Sequence, residues 1–310
     1  MIESVEALLV KVLFDVEAPV SAIALAPAKR ARARLCRTVA SALELDPESD
    51  NVVRAAVSLE LIHLASLLHD DVIDGARVRR GQASANACVG NTAAVLIGDE
   101  LLCRALALVD RSLLPSIVDA IRRMTRGALA EEKARGDVAL DLPRWRRVAQ
   151  DKTGALFSLA CGIPAALARA PAEVAARLSL AGEHLGIAFQ ALDDLEDLRS
   201  GQDLADKTPN AALAAAFSAT SSLPPRVAGA WARAHRNDAE LGDLAREACA
   251  VGERAVLGLV RNELAQAQEA FGRWVDVQAL GRGVGVPWPA EGGGEATRVG
   301  GTLSATQEGP

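Results

Sequence analysis

Tyrosine is absent from this 310-residue chain, and all aromatic residues together make up only 3% of it. No set of alternating β-branched runs punctuated by turns is present either, which argues against a β architecture. The cysteines, Cys36, Cys88, Cys103, Cys161 and Cys249, are odd in number and scattered, without the paired spacing of a zinc site. Such a set implies reduced thiols and a cytoplasmic setting. Formal net charge is −6, so the chain as a whole carries no nucleic-acid footprint. No stretch reaches the roughly 20 uninterrupted apolar residues of a membrane span. The opening segment MIESVEALLVKVLFDVEAP has acids where a secretory leader would be basic.

Half of the residues are apolar, and Ala and Leu dominate. Both are strong helix formers, and the small side chain of Ala lets helices approach closely. The reading is all-α, with helical patterning almost unbroken from residue 2 to about 278. Breaks are predicted at Pro19, Pro27, Asp46-Pro47, Gly75 to Gly81, Gly90, Pro115, Gly136 to Pro143, Gly162 to Pro171, Gly201 to Pro209 and Leu223-Pro224-Pro225. They leave about ten helices of roughly 12 to 25 residues, packed as a single-domain bundle around a central cavity. One domain is expected over residues 1–280, with a disordered Gly/Pro-rich tail over 281–310.

An acidic pentad, D-D-x-x-D, occurs twice: Asp70-Asp71-Val72-Ile73-Asp74 and Asp193-Asp194-Leu195-Glu196-Asp197. Each follows an apolar run, LASLLH or GIAFQAL, that would be buried as helix. Positions i and i+4 share a helix face, and i+1 is about 100° around from i. Each pentad therefore clusters carboxylates at one edge of a buried helix. A single copy reads as a solvated helix end; two copies with the same lead-in read as the halves of a metal cage. Carboxylate oxygens suit Mg²⁺.

Basic clusters answer the acids. AKRARARLCR sets Lys29, Arg30, Arg32, Arg34 and Arg37 close together, Arg77-Val78-Arg79-Arg80-Gly81 follows the first pentad, and Lys152-Thr153 opens the apolar run KTGALFSLAC. Arg binds phosphate oxygens as a fork and Lys as a point charge. Three basic and two acidic clusters fit an enzyme holding two phosphorylated substrates, one through metal and one through side chains.

The segment LIHLASLLHDDVIDGARVRRGQASANACVGNTAAVLIGDELL resembles the first aspartate-rich region of trans-isoprenyl diphosphate synthases. His63 precedes the pentad, and Arg79-Arg80-Gly81 and Gly98-Asp99 follow it. KTGALFSLAC resembles that family's KT helix, and GIAFQALDDLEDL its second aspartate-rich region. The likeness covers roughly residues 25–215. It implies an isoprenoid-synthase fold, a homodimer, and a prenyltransferase joining an allylic diphosphate to isopentenyl diphosphate. Mg²⁺, about three ions to a site, would be held by Asp70, Asp71, Asp74, Asp193, Asp194 and Asp197. Arg79, Lys152, Thr153 and Gln190 match the other contacts of the allylic diphosphate. Lys29, Arg32, His63 and Arg80 match the isopentenyl diphosphate site. No side-chain nucleophile is required, and the released pyrophosphate serves as the base.

His69 is expected to support the pentad by hydrogen bonding, and Glu196 to be solvated. His184 and His235 have no assigned role. The chain also departs from the family. Pro27-Ala28-Lys29-Arg30-Ala31-Arg32-Ala33 lacks the usual glycine turn, and Gly127-Ala128-Leu129-Ala130-Glu131 loses two polar positions. Only nine residues separate Asp197 from Lys207-Thr208-Pro209, where the family has a longer loop with an extra Lys; Lys207 is the expected substitute. Ser66 and Ala65, four and five positions before the pentad, are small, with Ile62 and Leu59 deeper. They predict an open tunnel and a product of geranylgeranyl length or longer, shortened by Ala65→Phe or Ser66→Phe. Two alternatives remain at this point: a non-catalytic subunit of a heteromeric synthase, and a class I terpene cyclase.

Overall fold

A computed structural model describes residues 2–26, 28–79, 82–200, 204, 206–233, 238–284 and 288. Helices dominate it. They include α1 (Glu3–Val12), α2 (Ala18–Leu25), α3 (Ala31–Ala42), α4 (Asp50–Ile73), α5 (Ala85–Val89), α6 (Asn91–Ala107), α7 (Leu114–Lys133), α8 (Leu142–Ala149), α9 (Ala155–Leu167) and α10 (Ala172–Ser200). Further helices span Ala211–Ala219, Leu223–Ala232, Asp238–Phe271 and Val277–Val284. Their lengths are more unequal than expected, from 5 residues in α5 to 34 in the Asp238–Phe271 helix. A two-residue antiparallel pairing of Val78–Arg79 with Gln82–Ala83 is the β structure among the described residues.

The central element is α4. It is apolar nearly all round, so it has no solvent face to present and is surrounded by neighbours. Leu59, Leu61, Ile62, Ala65 and Leu68 are all shielded from solvent, and α4 packs on α3, α6 and α9. By length and composition this is one described helix able to cross a membrane, yet 72% of the relevant stretch is buried inside the fold. The interruptions Glu60 and His63 had hidden that property in a search for uninterrupted runs.

Several predicted breaks are starts. Pro115, Pro143 and Pro224 occupy the first turns of their helices, where no amide hydrogen bond is lost. Gly162 and Pro164 do not interrupt α9, which runs on to Leu167. Asp141 caps α8 by accepting from Arg144 N at 2.8 Å. The last helix passes the boundary drawn at residue 280, because Gly281 lets Trp288 pack against it: a Cβ there would sit 1.9 Å from the Trp288 ring. Residues 289–310, most of the expected tail, lie outside the described residues.

The long Asp238–Phe271 helix packs along α10 and brings a buried carboxylate with it. Glu263, only 1% exposed, accepts from Arg146 Nε at 2.6 Å and Nη2 at 3.0 Å, and pairs with His184 Nδ1 at 2.6 Å. Burial alone would raise the Glu263 pKa; the bonds from His184 and Arg146 outweigh it and hold it below the ordinary 4.5. A depressed carboxylate contributes stability above its unfolded pKa, and that contribution is lost as pH falls through the folded value. Tm measured from pH 7 downward should therefore begin to drop below about 4.5, and Glu263→Gln should flatten that limb while lowering Tm at neutral pH. An unchanged acid limb in the variant would remove Glu263 from the account.

All five cysteines are free. Burial pushes the Cys36 thiol up to about 12, so it behaves as a small apolar group.

Candidate active site

Both pentads lie toward the C-terminal ends of their helices. In α4 the first runs to the last residue, Ile73, with Asp74 capping it; in α10 the second lies within the final turns. A helix C-terminus carries about half a negative charge, so carboxylates there add to an already negative potential and favour cations. All six aspartates of the pentads line one cavity of about 1170 Å³, and Lys29, Arg32, His63, Lys152, Thr153 and Gln190 line it too. The predicted site residues thus converge, with few exceptions.

The exceptions are specific. Lys207 does not line the cavity: it has φ +61°, its carbonyl accepts from Gly136 N at 2.9 Å, and its ammonium lies 6.0 Å from the Trp231 ring centroid. The aromatic face, which no local pattern places beside residue 207, holds the charge away from the role expected of it. The side chain of Arg79 and all of Arg80 lie outside the described residues.

Lys152 and Thr153 sit on a π-helical turn, Gln150–Gly154, between α8 and α9. Such turns widen the backbone locally and recur at functional sites. Arg123 holds this one from α7, donating to Asp151 Oδ1 at 3.1 Å and to Glu183 Oε2 at 2.5 Å, and Gln150 Nε2 donates to Glu183 Oε1 at 2.6 Å. Gly127 permits the approach, since a Cβ on it would lie 2.3 Å from Lys152 N. The Lys152 ammonium pairs with Glu131 and lies 3.8 Å from Asp70 Oδ2. Burial alone would depress the pKa of that ammonium; the carboxylates of Glu131, Asp70 and Asp74 outweigh it and hold it raised. Burial in turn raises the Glu131 pKa, against the pull of Lys152.

A hydrogen-bonded chain links this turn to the second pentad. Thr153 Oγ1 donates to Gln190 Oε1 at 2.6 Å, and Gln190 Nε2 donates to Asp194 Oδ1 at 2.8 Å. Asp194 Oδ2 also accepts from Trp145 Nε1 and from Ala211 N, both at 2.7 Å. Asn210 Nδ2 donates to the Asp194 carbonyl at 2.7 Å while its own side chain caps the Ala211–Ala219 helix. At 4% exposure, Asp194 is a packed anchor, unlike its exposed neighbour Asp193. Sequence reading missed Trp145 and Asn210. The signal for Asn210 was present as an Asn opening an apolar helix; nothing local pointed to Trp145.

The basic side is ordered by a buried acid. Glu60, 5% exposed, accepts from Ala33 N at 3.0 Å and lies 4.0 Å from Arg30 Nη1. Burial raises its pKa, and Arg32 and Arg30 pull against that. Arg30 takes φ +47°, a left-handed value that a glycine adopts without strain and an arginine does not. Its bonds to Glu6 Oε1 and the Ala24 carbonyl, each at 2.8 Å, hold it there. The Arg32 guanidinium stands 5.0 Å over the Phe157 ring. His69 sits 3.3 Å from the Val95 carbonyl and 3.4 Å from Asp99 Oδ1, tying the first pentad to α6.

Among the described residues no group of three or more His, Cys, Asp or Glu side chains is close enough to hold an ion by itself. The donor set nonetheless fits Mg²⁺ with a diphosphate, because that ion takes one or two carboxylates and completes its shell with phosphate oxygens and water. The deeper wall is apolar, with Ile62, Leu102, Ile121, Met124 and Leu156, and Phe189 is the aromatic residue lining it among those described.

A family model described as polyprenyl synthetase matches residues 15–214. A nonaprenyl diphosphate synthase from Mycobacterium tuberculosis is 38% identical over 166 residues, 53% of this chain and 50% of that one. A (2E,6E)-farnesyl diphosphate synthase from the same organism is 38% identical over 176 residues, 54% and 48% of the two chains. The chain thus spans about half the length of these curated relatives. Among solved structures, a decaprenyl diphosphate synthase from Rhodobacter capsulatus superposes with a TM-score of 0.80 at 25% identity, covering 92% of this chain and 94% of that one.

Proposed function

We propose, from the premise that this chain belongs to the polyprenyl synthetase family, that it is a Mg²⁺-dependent trans-prenyltransferase extending an allylic diphosphate with isopentenyl diphosphate. The observation that carries this reading is the single cavity onto which both pentads and the separate cationic group Lys29, Arg32 and His63 open. Asp70, Asp71, Asp74, Asp193 and Asp197 would hold Mg²⁺, which neutralises the allylic diphosphate and eases its departure. Asp194, with its oxygens taken up by Trp145, Gln190 and Ala211, positions that cluster.

Lys152 places a fixed positive charge beside Asp70, where charge builds on the leaving pyrophosphate. Lys29, Arg32 and His63 hold the second diphosphate, so that the isopentenyl double bond faces the allylic C1. The C1–oxygen bond breaks with its electrons going to pyrophosphate, the double bond attacks C1, and a proton passes to the pyrophosphate. The apolar wall keeps water from the intermediate cation. A homodimer in the cytoplasm, without stable membrane insertion, completes the reading; it rests on the family likeness and the dispersed thiols.

Purified protein with Mg²⁺, isopentenyl diphosphate and each of dimethylallyl, geranyl, farnesyl and geranylgeranyl diphosphate should yield elongated diphosphates. Cyclic hydrocarbon formed without isopentenyl consumption would replace the reading with a terpene cyclase. Inactivity relieved only by a second chain would make this a partner subunit.

Product length follows from the wall below the first pentad. Ser66 and Ile62 line the cavity, whereas Ala65 and Leu59 are fully buried in the surrounding core. With Ser there, the tunnel is open to products of geranylgeranyl length or longer. Ser66→Phe should shorten the main product by at least one five-carbon unit, read by mass spectrometry; an unchanged product would place the floor elsewhere. Ala65→Phe is the poorer probe, since it overpacks the core at a cost of about 1–3 kcal/mol.

A further inference from the structure

Arg135, just beyond the end of α7, spends its guanidinium on three separate parts of the chain. Nε donates to Glu132 Oε2 at 2.9 Å, Nη1 to the Asp206 carbonyl at 3.0 Å, and Nη2 to Asp74 Oδ1 at 2.5 Å. Asp74 closes the first pentad, and Asp206 lies on the chain leaving the second. The next residue, Gly136, has φ +73° and donates its amide to the Lys207 carbonyl at 2.9 Å, so the turn that carries Arg135 is itself bonded to that segment. One planar fork therefore ties Asp74 of the first pentad to the segment that follows the second.

We infer that Arg135 is a positioning residue that occupies Asp74 in place of a divalent cation and is exchanged for it when metal and diphosphate bind. The inference rests on the metal–diphosphate reading of the cavity. A guanidinium and a cation compete for the same carboxylate oxygen, because each needs its lone pairs. Once displaced from Asp74, Nη2 is still carried on a group fixed at Nε and Nη1, beside a carboxylate that lines the cavity, with a donor edge suited to a phosphate oxygen. A cation then stands beside the first pentad although Lys207 is held on Trp231.

The test is binding of Mn²⁺, alone and with inorganic pyrophosphate, by calorimetry and Mn²⁺ electron paramagnetic resonance on the full chain, with Arg135→Gln and Arg135→Lys. Without pyrophosphate, Arg135→Gln should bind Mn²⁺ about three- to tenfold more tightly, because the competitor is gone. With Mn²⁺ saturating, its pyrophosphate affinity should fall about tenfold. Arg135→Lys, a point charge that cannot serve three acceptors at once, should give smaller shifts in both directions, and it stands in if the Gln variant fails to fold. A merely structural strut would weaken both affinities together. Unchanged or weaker Mn²⁺ binding without pyrophosphate, in a variant with normal Tm, overturns the exchange. Absence of Mn²⁺ binding by the wild type even with pyrophosphate would overturn the metal reading itself, and the inference with it.

Discussion

Asp70→Ala should lower kcat/KM for chain elongation by on the order of 10³ while leaving folding stability within about 1 kcal/mol of wild type. Asp70 is partly exposed, and its side chain lies 3.8 Å from Lys152 at the cavity wall. Removing it leaves Lys152 with Glu131, so no buried charge is stranded and the fold has little to lose. The chemistry loses more. On the proposed reading, one carboxylate fewer weakens the hold on the ion that would neutralise the leaving diphosphate, and such electrostatic contributions act where water is excluded. Asp193→Ala, exposed in the second pentad, should behave alike. Steady-state kinetics at saturating Mg²⁺, beside a melting curve, check both; wild-type turnover in either variant would end the shared-cage reading.

Asp194→Ala has a different signature, losing stability and activity together. Three N–H donors, from Trp145, Gln190 and Ala211, end on its carboxylate at a site only 4% exposed. An alanine strands them. Each unsatisfied buried donor costs about 1–3 kcal/mol, and because they share one acceptor the costs do not add; the total should be about 3–5 kcal/mol. For a chain of this size that corresponds to a Tm lower by roughly 10 °C. Trp145→Phe, which removes one donor and leaves the acceptor served, should cost only about 1 kcal/mol. Melting curves for the two, beside Asp193→Ala as the exposed control, separate anchor from ligand. If Asp194→Ala melted with the wild type, the anchoring role would be lost. Neighbouring aspartates of one motif would then be equivalent.

The all-α class was legible because Ala- and Leu-rich helical periodicity survives every local reading, and the pentads because their spacing is itself helical geometry. Helix ends were less legible. Pro143 and Pro224 begin helices where a break was expected, and α9 continues through Pro164, because flanking packing decides which side of a proline the helix takes. Lys207 and Ala65 show the same gap at the site. The first was matched by type and position to a missing loop lysine, yet an indole from a later helix holds it. The second lies one residue from a cavity-lining serine and faces the opposite way into the core.

Sequence alone determined which side chains carry charge, which helix edge they share, and that two acidic clusters have the same helical spacing. Periodicity fixes a face but not the neighbour that the face meets. Only the tertiary structure decided that Asp194 is bound by a tryptophan from α8 and an amide from the Ala211–Ala219 helix, while Asp193 beside it faces the cavity. It also decided that Arg135 bonds Asp74 while Lys207 is held on Trp231. The reason is physical: a charge goes to whatever acceptor or ring the packed helices bring within reach, and that choice is made between segments far apart in the chain.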